Sequence, residues 1–258
     1  MFQRTSRHQR ISRLSPRAKR TFDVVAAVTG LVVAAPVLVP TAVAVWRHDR
    51  SSPLYVSTRI GKSGVPFKMV KLRSMSVGAD QVGVDSTSAS DPRITAVGHF
   101  IRRYKLDELT QLWNVLRGEM SLVGPRPNVQ RGVDRYTDQE RVLLSVKPGV
   151  TDFASIVFAD EAEILDGAPD PDQAYDELIR PWKSRLGLFY VDHQSIGTDA
   201  SLVFLTALTV VSRDAALSGV CQLLGRLGAD TELVQVSRRK SSLVPSLPPG
   251  ESTFTEVA

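Results

Sequence analysis

The chain has 258 residues, 43% of them apolar, a composition that suits a globular protein with its own core. Its single cysteine, Cys221, excludes intramolecular disulfides and cysteine-based zinc sites, and His8, His48, His99 and His193 show no metal-ligand spacing. The net charge of +5 sits at the N-terminus: residues 1–20 hold seven Lys/Arg and no acids, leaving 25 basic against 27 acidic residues in the rest, which excludes a basic nucleic-acid-binding domain.

The arm over 1–20 reads as attraction to anionic membrane lipids, because the segment after it is apolar. Val24 to Trp46 is VVAAVTGLVVAAPVLVPTAVAVW, 23 residues without a charge, long enough to cross a hydrocarbon core of roughly 30 Å at ~1.5 Å per residue. Pro36 and Pro40 interrupt it, and both flanks are basic (Arg17, Lys19 and Arg20 before, Arg47, Arg50, Arg59 and Lys62 after). Each proline removes a backbone donor, and basic flanks favour the cytoplasmic side at both ends. These features favour a re-entrant helix hairpin over 21–47, broken at Pro36, above a spanning helix, with Asp23 capping the entering helix.

Residues 48–228 read as the cytosolic domain. PLYVSTRIGKSGVPFKMVKLRSM, with Gly61, Gly64 and Pro66, predicts a β-hairpin. Lys71 and Arg73 share one strand face and are candidates for holding an anion. Residues 76–92 are polar and loop-like. From Arg93 to Gly118 the pattern is helical: Ile101, Leu106, Leu109, Leu112, Trp113 and Leu116 form an apolar face, Asp107, Glu108 and Gln111 fall opposite, and Gly118 ends the run. KPGV at 147–150 marks a turn. The acidic stretch from Ala159 to Ile179 reads as a solvated helical surface, and ASLVFLTALTVV at 200–211 as a core or bilayer-surface helix too short to span. The tail over 229–258 has the composition of disorder. The fold class expected is α+β and predominantly helical.

Asp107 and Glu108 point about 100° apart on a helix, so they reach one volume from two directions. A carboxylate can attack a phosphoryl group to form an acyl phosphate while its neighbour holds a divalent cation. Arg102, Arg103, Lys105, Lys71, Arg73 and Arg126 are candidates for neutralising phosphate, and such cations are expected to keep Asp107 ionised.

FKMVKLRSM, DPRITAVGHFIRR, LDELTQLWNVLRGEMSLVGPRP and KPGVT occur in that order, behind a proline-interrupted apolar segment opened by KRTFD. From about Lys19 to Thr206 this arrangement resembles the bacterial sugar transferase family of monotopic phosphoglycosyl transferases. The resemblance implies transfer of a sugar 1-phosphate from a nucleotide diphosphate sugar to a polyprenyl phosphate, at the cytoplasmic face of the bacterial inner membrane. It implies Asp107 as nucleophile, Glu108 as the Mg2+ ligand with Asp107 and the late acidic residue Asp199 beside it, and Lys71 and Arg102 in the phosphate site. Pro125, Arg126 and Pro127 match the motif associated with the nucleotide, and Ala35-Pro36 the membrane break.

Thr110 replaces a proline that often follows Asp-Glu-Leu, and Leu72 a phenylalanine. After KPGVT the chain reads DFASIVFADE, where many members carry Gly-Trp and later Asn-Gly-Arg, so one phosphate contact of the family has no counterpart in that stretch. The readings weighed against a transferase are a catalytically inactive membrane scaffold of the same fold and a membrane-tethered nucleic-acid binder. The sequence leaves a homodimer open.

Overall fold

Helix α1 (Pro16–Asp49) lies along the rest of the protein in a computed structural model that describes residues 15–79 and 91–252. The face it turns inward recurs every three or four residues. Asp23, Ala27, Leu38, Thr41 and Val45 are buried, and a Cβ on Gly30 would come within 2.8 Å of the Leu112 side chain. Leu38 and Val45 join Leu72, Ile101 and Leu106 in a small apolar cluster. The opposite face exposes Val25, Val28, Val32, Val33, Val37, Val39, Val43 and Trp46. Both ends are fastened to the same domain. Near the start, Arg20 donates to the Val115 and Leu116 carbonyls (2.5 and 2.7 Å), and at the end Asp49 pairs with Arg73 (2.6 Å).

The expected turn at Ala35-Pro36 is not there. Pro36 and Pro40 sit inside one helix, both on its outward face, and packing of Ala27 before them, Leu38 between them and Val45 after them holds one path. Asp23 is not a cap either. It accepts from Ser121 Oγ (2.9 Å) and from the Leu122 amide (3.1 Å), buried about two turns inside the helix. Of the basic arm, residues 1–14 lie outside the described residues.

The hairpin of strands β1 (Leu54–Ile60) and β2 (Pro66–Leu72) is antiparallel, with Tyr55 opposite Lys71 and Arg59 opposite Phe67. Gly64 takes φ +77° in the connecting turn, as glycine permits. The predicted single helix over 93–118 is three short ones: α2 (Ala96–Arg103), α3 (Leu106–Leu109) and α4 (Leu112–Arg117). Lys105, in the left-handed region at φ 53°, breaks the first join, and Gly118 ends α4 at φ +82°.

Strands β3 (Ser121–Val123) and β4 (Gly149–Thr151) pair in parallel. Gly124 and Gly149 meet backbone to backbone just beyond them: a Cβ on Gly149 would lie 2.1 Å from the Gly124 nitrogen. Only glycine allows that approach, which fixes the start of Pro125-Arg126-Pro127.

Helices α5 (Gln130–Asp134), α6 (Phe153–Val157), α7 (Glu161–Ile164), α8 (Pro171–Ala174), α9 (Arg180–Asp192), α10 (Ile196–Val211), α11 (Arg213–Arg226) and α12 (Thr231–Ser237) complete the domain. Phe153, Ile156, Leu186, Tyr190, Leu202 and Leu224 form the centre of its core. Helix α10 buries Leu202 and Leu205, as a core helix does, and exposes Phe204, Val210 and Val211.

The tail departs from expectation. Asp230 caps α12 at the Leu233 amide, and residues 238–252 run along α9, with Arg185 donating to Ser246 Oγ and to the Leu247 carbonyl. Buried Leu233 and the partly buried Leu243 hold this segment to the core, outweighing its Ser/Pro-rich composition. Residues 253–258 lie outside the described residues.

Candidate active site

Short-range contacts lock the acidic pair to strand β2. Thr95 caps α2 at the Gly98 amide (2.9 Å), and Gly98 sits so close to the Ser74 carbonyl that a Cβ would clash at 1.8 Å. Thr110, at the position where a proline was noted as usual, shares its hydroxyl proton between the Val70 carbonyl (3.1 Å) and the Asp107 carbonyl (2.9 Å). Asn114 is fully buried. It accepts from the Val70 amide and donates to the Lys68 carbonyl and to Glu119. The α3–α4 segment is thus joined to β2 just before Lys71, and α2 to the chain just after it at Ser74.

The result is two ion pairs side by side. Lys71 Nζ stands 4.0 Å from Asp107 Oδ2, and Arg126 Nη2 stands 2.8 Å from Glu108 Oε1. Asp107 and Glu108 keep 15% and 19% of their side-chain surface, enough to meet a ligand and too little for full hydration. Burial pushes the Asp107 carboxyl above its ordinary value, with Glu108 adding to the rise and Lys71, Arg126 and Lys105 opposing it. The expectation that the cations would win at Asp107 is therefore not met. At Glu108 they do win: burial raises it, but Arg126, Lys105 and Lys71 together bring it below its ordinary value. Lys71 is pushed down to about 8, by burial first and by Arg126 next, against the pull of Asp107 and Glu108. Arg126 is raised, chiefly by Glu108.

The other expected residues divide. Arg102 donates to Ser74 Oγ (3.1 Å) and feels the charge of Asp107, so it belongs to the site. Pro125 and Pro127 flank Arg126 and line a shallow recess with Asn128, Tyr136 and Pro148. Arg73 does not face the pair. Strand β2 ends at Leu72, and the Arg73 guanidinium is taken by Asp49 and the Ser52 carbonyl. Arg103 is exposed and lies over the Tyr104 ring at 5.7 Å.

Asp199 is the clearest correction. It is completely buried at the start of α10, where Lys19 (2.6 Å) and the Tyr190 hydroxyl (2.7 Å) occupy its two oxygens. It anchors the foot of α1 instead of joining Asp107 and Glu108. Among the described residues no three Asp, Glu, His or Cys side chains converge as a metal cage. Two carboxylates without a third suit an ion that takes the rest of its shell from substrate phosphates and water, as Mg2+ does.

Sequence reasoning missed the far wall of the cleft. Lys105 Nζ donates to the Ala159 carbonyl (3.3 Å), which brings the 158–161 loop against the turn before Asp107. In that loop Asp160 pairs with Arg213 (2.7 Å) and Arg239 (3.4 Å), while Glu161 pairs with Lys183 of α9. The acidic stretch is therefore not simply solvated. Its i,i+1 carboxylates face two different sets of cations, a division that no sequence spacing signals.

The chain matches the bacterial sugar transferase family model over residues 14–213. It belongs to that family. It is similar to a UDP-galactose-lipid carrier transferase of Erwinia amylovora, 36% identical over 213 residues, covering 77% of this chain and 41% of the relative. An undecaprenyl-phosphate galactose phosphotransferase of Salmonella typhimurium is 35% identical over 213 residues, with the same coverage of 77% and 41%. A UDP-glucose:undecaprenyl-phosphate glucose-1-phosphate transferase of Escherichia coli is 37% identical over 192 residues, covering 73% and 39%. The chain thus spans about two fifths of the length of these sugar transferases, and the part it spans holds the whole Lys71, Asp107, Glu108 and Arg126 arrangement.

Proposed function

We propose that the protein is a phosphoglycosyl transferase that moves a sugar 1-phosphate from a nucleotide diphosphate sugar, a UDP-sugar, to a polyprenyl phosphate. The observation that carries this reading is the pairing of Asp107 with Lys71 beside Glu108 with Arg126. Ionised Asp107 attacks the β-phosphorus. The new bond is the acyl phosphate, the bond to the α-phosphate oxygen breaks, and UMP leaves with the electron pair. An oxygen of the lipid phosphate then attacks the same phosphorus and returns the carboxylate. Lys71 and Arg126 face the charge that develops on the phosphoryl oxygens, and Arg102 steadies the nucleophile side. Glu108, with Asp107, would hold Mg2+ against the diphosphate, and the ion would supply charge neutralisation.

The way α1 is fastened supports a monotopic placement. A spanning helix would carry its two ends to opposite sides of the bilayer, but both ends are pinned to one domain by Arg20 and Asp49. The exposed valine face therefore enters one leaflet sideways, a monotopic seat without a hairpin, with the basic arm on anionic lipid at the cytoplasmic face. Nucleotide sugar from the cytosol and lipid phosphate at headgroup height then meet at Asp107. The product would begin a cell-surface glycan.

The test is release of nucleoside monophosphate by protein in lipid nanoparticles with Mg2+ and polyprenyl phosphate, across a panel of nucleotide sugars. Release with one or a few donors, dependent on the lipid acceptor, is the result expected. Silence with every donor, from protein that binds nucleoside diphosphate, would favour the inactive scaffold.

A further inference from the structure

The stretch 152–161 directly after KPGVT holds no arginine, but the space beyond Arg126 is not short of cations. Glu161 and Lys183 form an ion pair, and Lys183 Nζ lies 5.0 Å from the centre of the Tyr175 ring. Both partners remain open to the cleft, with 34% of the Glu161 and 18% of the Lys183 side chain exposed. The contact of Lys105 with Ala159 holds the turn before Glu161 against the turn that presents Asp107. Arg126 lies between the two acids, paired with Glu108 and within Coulombic reach of Glu161.

The pair has the features of a displaceable placeholder. Asp160, its neighbour, is half-buried against Arg213 and Arg239 and secures the loop to α11 and the C-terminal segment. Glu161 is not needed for that. It faces the cleft and keeps Lys183 charged against the cost of burial. An incoming diphosphate offers Lys183 a denser negative charge than a single carboxylate does. Lys183 also sits seven residues before Tyr190, the residue of α9 that meets the foot of α1 through Lys19 (3.4 Å). That is roughly 10 Å along the helix from the foot of α1.

We propose that Lys183, held in waiting by Glu161, binds the diphosphate of the nucleotide sugar and supplies from α9 the cationic contact that the 152–161 stretch lacks. The proposal rests on the transferase reading above and adds a residue to it. The phosphate could also belong to the lipid acceptor, and the experiment separates the two sources.

Binding of UDP, GDP, TDP and ADP is measured without turnover on full-length protein in lipid nanoparticles, for wild type, Lys183→Met, Lys183→Arg and Glu161→Gln. The thermal unfolding midpoint of each serves as the folding control. Lys183→Met is expected to weaken the preferred nucleoside diphosphate about tenfold, the scale of one lost charge-assisted hydrogen bond. Lys183→Arg restores most of the affinity, Glu161→Gln keeps or tightens it, and the KM for polyprenyl phosphate is unchanged in all three. Wild-type affinity in a folded Lys183→Met protein overturns the proposal and leaves the transferase reading intact. A selective rise in the KM for polyprenyl phosphate assigns Lys183 to the acceptor and overturns it as well. Wild-type protein that binds no nucleoside diphosphate removes the transferase reading, and this proposal with it.

Discussion

Lys71 Nζ and Asp107 Oδ2 stand 4.0 Å apart, and each alters the other's protonation. Burial lowers Lys71 to about 8, and Asp107 is what limits the fall. Below that pH the lysine is charged and can offset both the nucleophile and the incoming phosphate. Above it the charge is lost, so donor binding and transfer decline through about pH 8. Stability moves the other way. The folded pKa lies below the ordinary 10.5, so the unfolded chain binds more protons between about 8 and 10.5, and Lys71's contribution to stability rises with pH across that window. A pH series of kcat/KM on wild type and Lys71→Arg checks this: the alkaline limb shifts upward in the variant.

Arg126 faces Glu108 at 2.8 Å and is within Coulombic reach of Glu161, so its loss leaves uncompensated carboxylates where the diphosphate must bind. Arg126→Ala is expected to lower kcat/KM by about 10²- to 10³-fold, in the range for losing one preorganised donor to a developing anion. Arg126→Lys recovers part of this, because a point charge replaces the planar fork. Steady-state kinetics with the preferred donor measure both.

Asn114 links β2 to α4 through three hydrogen bonds and is fully buried. Asn114→Leu strands the Val70 amide and the Lys68 carbonyl, both just before Lys71 in β2. Roughly 1–3 kcal/mol of stability is lost for each buried group left unpaired. Thermal unfolding reports that loss, and a drop in kcat at temperatures where the variant stays folded reports the displaced lysine.

Val33 is 72% exposed on the outward face of α1. In water that position tolerates a charge at little cost, whereas in a leaflet an acid there costs about 2–3 kcal/mol. Val33→Asp is expected to keep the unfolding midpoint in detergent and to reduce co-sedimentation with vesicles. An unchanged partition would place that face outside the lipid.

The β-hairpin was legible from Gly61, Gly64 and the alternation around them, and the acidic pair from its motif. What escaped was set by tertiary contact. One stretch of helical periodicity became three helices because Lys105 adopts a left-handed turn against Ala159. Pro36 did not break α1, because buried residues on both sides of it hold one path along the domain. Asp199 and Arg73 read as ligand-binding charges, yet each is consumed by a partner more than twenty residues away in sequence, Lys19 and Asp49. Lys183 carried no local signal at all, since its role depends on which loop α9 faces.

The transferase reading requires Asp107 to carry the sugar phosphate as an acyl phosphate between the two half-reactions. Wild-type protein in lipid nanoparticles, given the preferred nucleotide sugar and Mg2+ but no polyprenyl phosphate, should gain the mass of one sugar phosphate in intact-protein mass spectrometry. Hydroxylamine should remove the adduct, as it does acyl phosphates, and Asp107→Asn should neither form it nor turn over, with kcat down at least roughly 10³-fold. A wild-type enzyme that turns over without ever carrying the adduct, together with an active Asp107→Asn variant, would contradict the account.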